Sequence, residues 1–366
     1  MKKKILFFMP SFEGGGVEKN LILVANFFAK KPIELKLITA SKKYKKNFNN
    51  KINFISPNSH IWDKLGRIPK YFISLYLLFL EYLKDKNFIV FCFQGNIFCI
   101  LFCKFFKIKI VIRPNSSPAG WSKNTIKKKI FSKVFNLADK IIVNSYDFKK
   151  ELKKKFNINS TTIYNPLNSK DIIKLSKYKI KKTYFNKNSL KIISVGRLVD
   201  QKDHMTLLKA INEIKNKIRI SLLIIGEGKN KKIIKEFISN NNLEKSVKLK
   251  DYTKNPFPYI KQADVFILTS KFEGLPNVLL EAITLKKFVI STDCPTGPNE
   301  ILDGGKGGLL FKVGDFLDLG KKIQFFKNNY KLCKKKNYYA QKQLFKYDSS
   351  NNLNKYYKNI IEILNN

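Results

Sequence analysis

Short apolar, β-rich runs alternate with longer amphipathic runs along this chain, and the alternation stops and restarts once. In the first block Ile5–Met9, Leu35–Thr39, Phe88–Phe93, Lys109–Ile112 and Lys140–Asn144 read as strands. Val17–Lys30, Ile68–Leu83 and Tyr146–Phe156 have helical length and spacing, with Ser145 the expected N-cap of the third. In the second block Lys191–Val195, Ile220–Ile225, Val247–Leu249, Val265–Thr269 and Phe288–Ser291 read as strands. Asp203–Ile214, Lys231–Asn240 and Pro276–Leu285 read as helices. Such alternation predicts an α/β architecture of two doubly wound parallel sheets. Near-continuous apolar runs such as Leu222–Ile225 fit strands covered on both faces.

Between the blocks, Ile163-Tyr164-Asn165-Pro166-Leu167-Asn168 is a turn-rich break, and a Lys-rich polar stretch follows it. The expected division is a first domain over residues 1–168, a linker region over 169–188 and a second domain over 189–340. A C-terminal helix over 341–366 is expected to pack back on the first domain. A length of 366 residues suits two domains at roughly 100–200 residues each.

Charge narrows the partners. Lys and Arg number 71 against 27 Asp and Glu, a formal net charge of +44. That excess points to phosphorylated ligands, an acidic membrane surface or nucleic acid. Zinc-finger and RNP motifs are missing and the basic residues are spread along the chain, so a specific nucleic-acid partner is not expected. Trp121–Phe135 sets Lys123, Lys127, Lys128, Lys129 and Lys133 beside Ile126, Ile130, Phe131 and Val134, a pattern suited to an anionic surface or to packing on the sheet. No stretch supplies ~20 apolar residues in a row, so a soluble or peripheral protein is expected. The five cysteines form no C-x-x-C and no evident disulfide framework, which fits a reducing cytoplasm. Neither His60 nor His204 stands near a cysteine in sequence, so no metal site is expected.

Open α/β sheets bind ligands beyond the carboxyl ends of their strands, so the loops there carry the functional signal. Glu13-Gly14-Gly15-Gly16-Val17-Glu18 follows the first strand, and its glycines allow close approach to a phosphate. It matches neither the dinucleotide fingerprint nor a P-loop. Val195-Gly196-Arg197-Leu198-Val199-Asp200-Gln201-Lys202 follows the first strand of the second block. Arg197 as a fork and Lys202 as a point charge suit a diphosphate, or simply a solvated turn. In Phe272-Glu273-Gly274-Leu275-Pro276-Asn277-Val278-Leu279-Leu280-Glu281, Pro276 fits the first helical position. Glu273 then lies in the loop and Glu281 within the helix. Carboxylates accept paired sugar hydroxyls, and the amides of Asn277 and Val278 suit a phosphate. Ser291-Thr292-Asp293-Cys294-Pro295-Thr296-Gly297-Pro298 and Gly307-Gly308-Leu309-Leu310-Phe311 read as further loops or plain turns.

In this order the loops resemble the family 4 retaining glycosyltransferases of the GT-B fold, most of all bacterial enzymes that build O-antigen, capsule, lipopolysaccharide or protein-linked glycans. Some of those are N-acetylgalactosaminyltransferases acting on undecaprenyl-diphosphate sugars. The resemblance implies two Rossmann-like domains facing a central cleft, with the acceptor on the first and the nucleotide on the second. It implies a metal-independent, cofactor-free transfer of a hexose or N-acetylhexosamine from a UDP-sugar to a glycan acceptor, polyprenyl-diphosphate-linked, at the inner face of the cytoplasmic membrane. Arg197 and Lys202 match the pair that binds the diphosphate, and Glu273 matches the carboxylate on the donor sugar. Glu281 matches the acceptor of the ribose hydroxyls, with Asn277 and Val278 offering amides to the phosphate. Gly15 and Gly16 would lie against the donor, and Tyr252, in Leu249-Lys250-Asp251-Tyr252, stands where relatives contact the base. Many relatives carry a His where this chain has Asn115, in Val111-Ile112-Arg113-Pro114-Asn115-Ser116-Ser117. An Asn bonds a sugar but cannot act as a base. A GT-B sugar-nucleotide epimerase, an inactive nucleotide-sugar binder and a basic nucleic-acid-binding protein are the competing readings.

Overall fold

The computed structural model describes residues 3–12, 14–59, 61–115, 125–180 and 183–365, without the side chains of 125–127. Glu13, His60, Ser116, Ser117, Trp121 and Lys123, and the side chains of Ile126 and Lys127, lie outside the described residues. The chain divides into two compact units, Met1–Pro166 with Ser349–Asn366, and Leu167–Asp348.

The first unit holds β1 (Lys4–Phe8), β2 (Glu34–Ile38), β3 (Ile52–Ile55), β4 (Ile89–Cys92), β5 (Ile110–Ile112), β6 (Lys140–Val143) and β7 (Thr161–Thr162). They form one sheet in the order β3-β2-β1-β4-β5-β6-β7, and every pairing is parallel. The order reverses between β1 and β4. Alternate residues of β1 enter opposite cores, as the two-residue period of a strand requires. Ile5 and Phe7 pack with Leu21, Val24 and Phe28 of the helix Gly16–Phe28. Leu6 and Phe8 join Leu78, Ile100 and Leu152 on the other face. Cys99 and Cys103 are buried there on one face of the helix Asn96–Phe105.

The helix Ser349–Asn365 belongs to this unit too, although it follows the whole second unit in sequence. Tyr356 and Ile360 are buried in the Phe7 core, and the Tyr357 ring meets Phe28 edge-on at 5.5 Å.

In the second unit β8 (Leu190–Val195), β9 (Ile220–Ile225), β10 (Val247–Lys250), β11 (Val265–Leu268), β12 (Phe288–Thr292) and β13 (Leu309–Phe311) make a parallel sheet. Its order is β10-β9-β8-β11-β12-β13, so the reversal falls between β8 and β11.

Several details differ from expectation. β3, β7 and β13 are additional strands; each lies at a sheet edge and is only two to four residues long, too short to show a strand period. Within 169–188 the helix Ser169–Leu175 forms, started by the Asn168 side chain, which accepts from the Asp171 amide at 3.2 Å. Residues 341–348 stay with the second unit, because the Leu167 amide bonds the Tyr347 carbonyl at 2.9 Å and Tyr347 is buried. Pro276 is the N-cap of the helix Asn277–Thr284, one position earlier than expected, with extended backbone. Ser145 caps its helix as expected, accepting from the Phe148 amide at 3.2 Å.

Candidate active site

In the second unit the loops after β8 and β11 flank the reversal in strand order, and they are tied together. Lys202 forms an ion pair with Glu273 Oε1, and Ser270 Oγ donates to the same oxygen at 2.6 Å. Both side-chain bonds of Glu273 thus fall on Oε1. Its backbone is held as well, since Thr296 Oγ1 donates to the Glu273 carbonyl at 2.6 Å. Thr269 Oγ1 donates to the Lys202 carbonyl at 2.9 Å, and Gln201 Nε2 to the Phe272 carbonyl at 2.9 Å. Burying a carboxylate is costly unless close polar partners satisfy it, and these do.

Two glycines make this convergence possible. A Cβ on Gly226, after β9, would stand 1.9 Å from the Gly196 carbonyl oxygen, so only glycine lets the loops after β8 and β9 touch. At Gly297, φ is +88° and a Cβ would meet the Gly274 carbonyl at 2.5 Å, which presses the loop after β12 onto the Glu273 loop.

The surroundings are set against stray titration. Burial, with Lys202 nearby, pulls His204 down to about 4, so its ring is neutral at pH 7. Burial, with the Glu273 carboxylate nearby, pushes the Cys294 thiol up to about 12.

The remaining residues singled out in this unit spread around the pair. Arg197 is exposed at the carboxyl end of β8. Asn277 and Val278 are half-buried in the first turn of their helix, where amides lack intrahelical acceptors. Glu281 is buried one turn further on. Tyr252 is exposed beyond β10, which β9 separates from β8. Ser270, Thr292 and Thr296 escaped the sequence reading. Ser270 and Thr296 follow strands and Thr292 ends one, which was the available signal. Thr292 Oγ1 donates to the Ser270 carbonyl at 2.7 Å.

The first unit has a polar cluster of its own at its strand ends. The Ser11 amide bonds Gln94 Oε1 at 2.8 Å, joining the loops after β1 and β4 where that sheet reverses. Gly15 is the N-cap of the helix Gly16–Phe28, and its amide donates to Glu18 Oε2 at 2.8 Å. A carboxylate of the chain itself therefore stands at the glycine-rich loop.

Asn115 is bound at both ends of its amide. Its Oδ1 accepts from Arg113 Nη1, and its Nδ2 donates to the Phe93 carbonyl at 2.6 Å. Arg113 is wholly buried. Its Nε donates to Tyr356 Oη at 2.8 Å, Nη2 bonds Asn165 Oδ1, and the guanidinium lies over the Phe93 ring at 5.5 Å. Asn115 is thus a fixed fixture of the strand ends, an arrangement that the sequence motif did not reveal.

Residues 176–343 match the family model described as glycosyl transferases group 1. These residues are a group 1 glycosyltransferase domain. The domain contains Arg197, Lys202, Tyr252, Glu273, Asn277, Val278 and Glu281. An uncharacterised glycosyltransferase of Methanocaldococcus jannaschii is 35% identical over 217 residues, 56% of this chain and 53% of that relative. The chain thus spans about half the length of that relative in the match. A broader match is the N-acetylgalactosamine-N,N'-diacetylbacillosaminyl-diphospho-undecaprenol 4-alpha-N-acetylgalactosaminyltransferase of Campylobacter jejuni, 28% identical over 85% of this chain and 86% of the relative. Among solved structures, Anabaena HepE in complex with UDP-glucose superposes with a TM-score of 0.77 at 17% identity, covering 99% of each chain. Around the group 1 domain the architecture is GT-B, with two parallel-sheet Rossmann-like units.

Proposed function

We propose that this protein is a retaining, metal-independent glycosyltransferase that moves a hexose or N-acetylhexosamine from a UDP-sugar to a polyprenyl-diphosphate-linked glycan. The observation that carries the reading is the Lys202–Glu273–Ser270 cluster at the strand reversal of the group 1 domain. Glu273 has both side-chain bonds on Oε1, so Oε2 is left to accept a hydroxyl of the donor sugar. Lys202 has three N–H donors and gives one to Glu273, so the others reach a diphosphate. Arg197 adds the second positive charge, and the amides at the start of the helix Asn277–Thr284 a third donor group. Glu281 takes the ribose hydroxyls and Tyr252 the base.

In the reaction the acceptor hydroxyl attacks the anomeric carbon on the face that the diphosphate leaves. The bond from that carbon to the phosphate oxygen breaks, and the new glycosidic bond forms with the configuration kept. The hydroxyl proton passes to the departing diphosphate oxygen. This fits Asn115, which has no basic group. Gly15, Gly16 and Asn115 are read as donor-binding residues from the family resemblance alone. The relative from Campylobacter supports the lipid-linked acceptor, and the HepE complex supports UDP. Such an acceptor brings the protein to the cytoplasmic face of a membrane as a peripheral enzyme.

The test is transfer from UDP-sugars to a polyprenyl-diphosphate-linked acceptor, with the product anomer read by NMR. Arg197→Ala and Lys202→Ala are each expected to slow transfer by at least ~100-fold, while EDTA leaves it unchanged. Wild-type turnover by either variant overturns the assignment. Conversion of the UDP-sugar without acceptor points to the epimerase instead.

A further inference from the structure

The helix Arg67–Lys84 packs Leu75, Leu77, Leu78 and Tyr82 on the core but carries a second, outward apolar stripe. Toward the core it presents Lys70, Ser74, Leu78 and Glu81, all buried. Glu81 is held there by Lys36 and Lys84, each at 2.7 Å, and Lys70 by the Asp63 carbonyl at 3.2 Å. Toward solvent it presents Ile68, Phe72, Tyr76 and Leu83, with Phe72 60% exposed. An amphipathic helix with only one partner face keeps its solvent side polar.

The stripe does not stand alone. The Phe72 ring lies 6.2 Å from Phe98 of the helix Asn96–Phe105, which also exposes Leu101 and Phe105, the last at 80%. That helix packs beside Thr125–Phe135, which exposes Ile130 between the exposed Lys129 and Lys133. Val134 and Phe135 of the same helix are buried, so only part of the basic stretch noted in the sequence faces outward.

The exposed charge beside these helices is mostly positive. Lys64, Arg67, Lys84 and Lys107 are exposed along it with Lys129 and Lys133. Of the carboxylates on these elements, Glu81 is buried under two lysines, Asp85 bonds Lys4 and Asp139 bonds Lys104. Asp63 is the one other among the described residues.

We propose that the outward face of the helices Arg67–Lys84, Asn96–Phe105 and Thr125–Phe135 docks on a bilayer that carries anionic headgroups. Aromatic rings enter the headgroup boundary and the flanking lysines meet lipid phosphates. Like charge on both sides disfavours a second copy of this chain as the occupant. No helix of the described residues is long and apolar enough to cross a membrane, so the face lies on the bilayer. The proposal rests on the lipid-linked acceptor for the presence of a membrane, and on the exposed residues for the place.

The experiment is flotation of the full chain with phosphatidylcholine vesicles, with and without phosphatidylglycerol. Binding to the anionic vesicles is expected to fall at least ~10-fold in Phe72→Ser/Tyr76→Ser, and to weaken with salt. Leu317→Ser, an exposed apolar position in the other unit, is the control and keeps wild-type binding. Phe72→Trp gives a second readout, a blue shift of emission on adding anionic vesicles. Undiminished flotation of the double variant, equal binding to neutral vesicles, no shift from the tryptophan, or a Phe72-dependent dimer that does not float each overturns the proposal. UDP binding by the unaltered protein is measured separately. A chain that floats through this face without binding UDP sinks the transferase reading alone.

Discussion

Arg113 is a permanent cation in the core of the first unit, and the side-chain acceptors bonded to it are neutral: Asn115, Asn165 and Tyr356. Lysine carries the charge but not the planar fork, so Arg113→Lys leaves some of these acceptors unmet. The expected loss is about 2–4 kcal/mol of stability, measured by denaturant unfolding. His204 makes a pH-dependent contribution. Its folded value is about 4 against about 6.5 unfolded, so the unfolded chain takes up the proton first as pH falls. Stability is whole above pH 6.5 and is lost between 6.5 and 4, by roughly 3 kcal/mol. His204→Leu is expected to flatten that part of the stability profile relative to wild type; parallel profiles would contradict the burial argument. The five cysteines are all buried, with burial raising the thiols of Cys99, Cys294 and Cys333. Alkylation at pH 8 is expected only after unfolding. Residues of this kind were half legible. Lys202 and Glu273 stood out by type and by place after strands. Nothing in Arg113-Pro114-Asn115 announced that the arginine points inward, because its partners come from strand ends and a helix far along the chain.

Loops at strand ends carry the site, and their closeness depends on missing side chains. Gly226→Ala puts a methyl group against the Gly196 carbonyl, and Gly297→Ala adds a left-handed φ to a clash. Each is expected to cost about 2–4 kcal/mol and to weaken UDP binding, measured by thermal shift, because the Arg197 or Glu273 loop must move. Unchanged UDP affinity in both would separate these loops from the nucleotide. At this scale the sequence was most readable. Tyr146–Phe156 and Lys231–Asn240 begin and end where expected, since apolar period and Ser145 agree in the one and apolar period sets the other. β3, β7 and β13 were not readable, because runs of two to four residues show no period that separates a strand from a turn. Pro276 was misplaced by one residue, since proline suits both the cap and the first turn.

Across the whole molecule the net charge of +44 repels itself in the folded state. Added salt screens that repulsion, so the Tm is expected to rise with NaCl at fixed pH, by roughly 2–4 °C for each kcal/mol relieved. A falling Tm would mean that attractive ion pairs outweigh the excess. The two parallel sheets were legible from alternation alone. The exact place where the chain returns was not, since the expected C-terminal helix began at 341 whereas the helix of the first unit begins at Ser349. That return has a consequence during synthesis. Phe28 and Phe91 find their cover in Tyr356 and Tyr357, on a helix translated after the entire second unit. At 5–20 residues per second the ribosome needs roughly 10–40 s to make those ~180 intervening residues. Throughout that interval one core of the nascent first unit lacks the part of its cover that Leu353, Tyr356 and Ile360 supply. The second unit, begun later, has all its own parts in hand first.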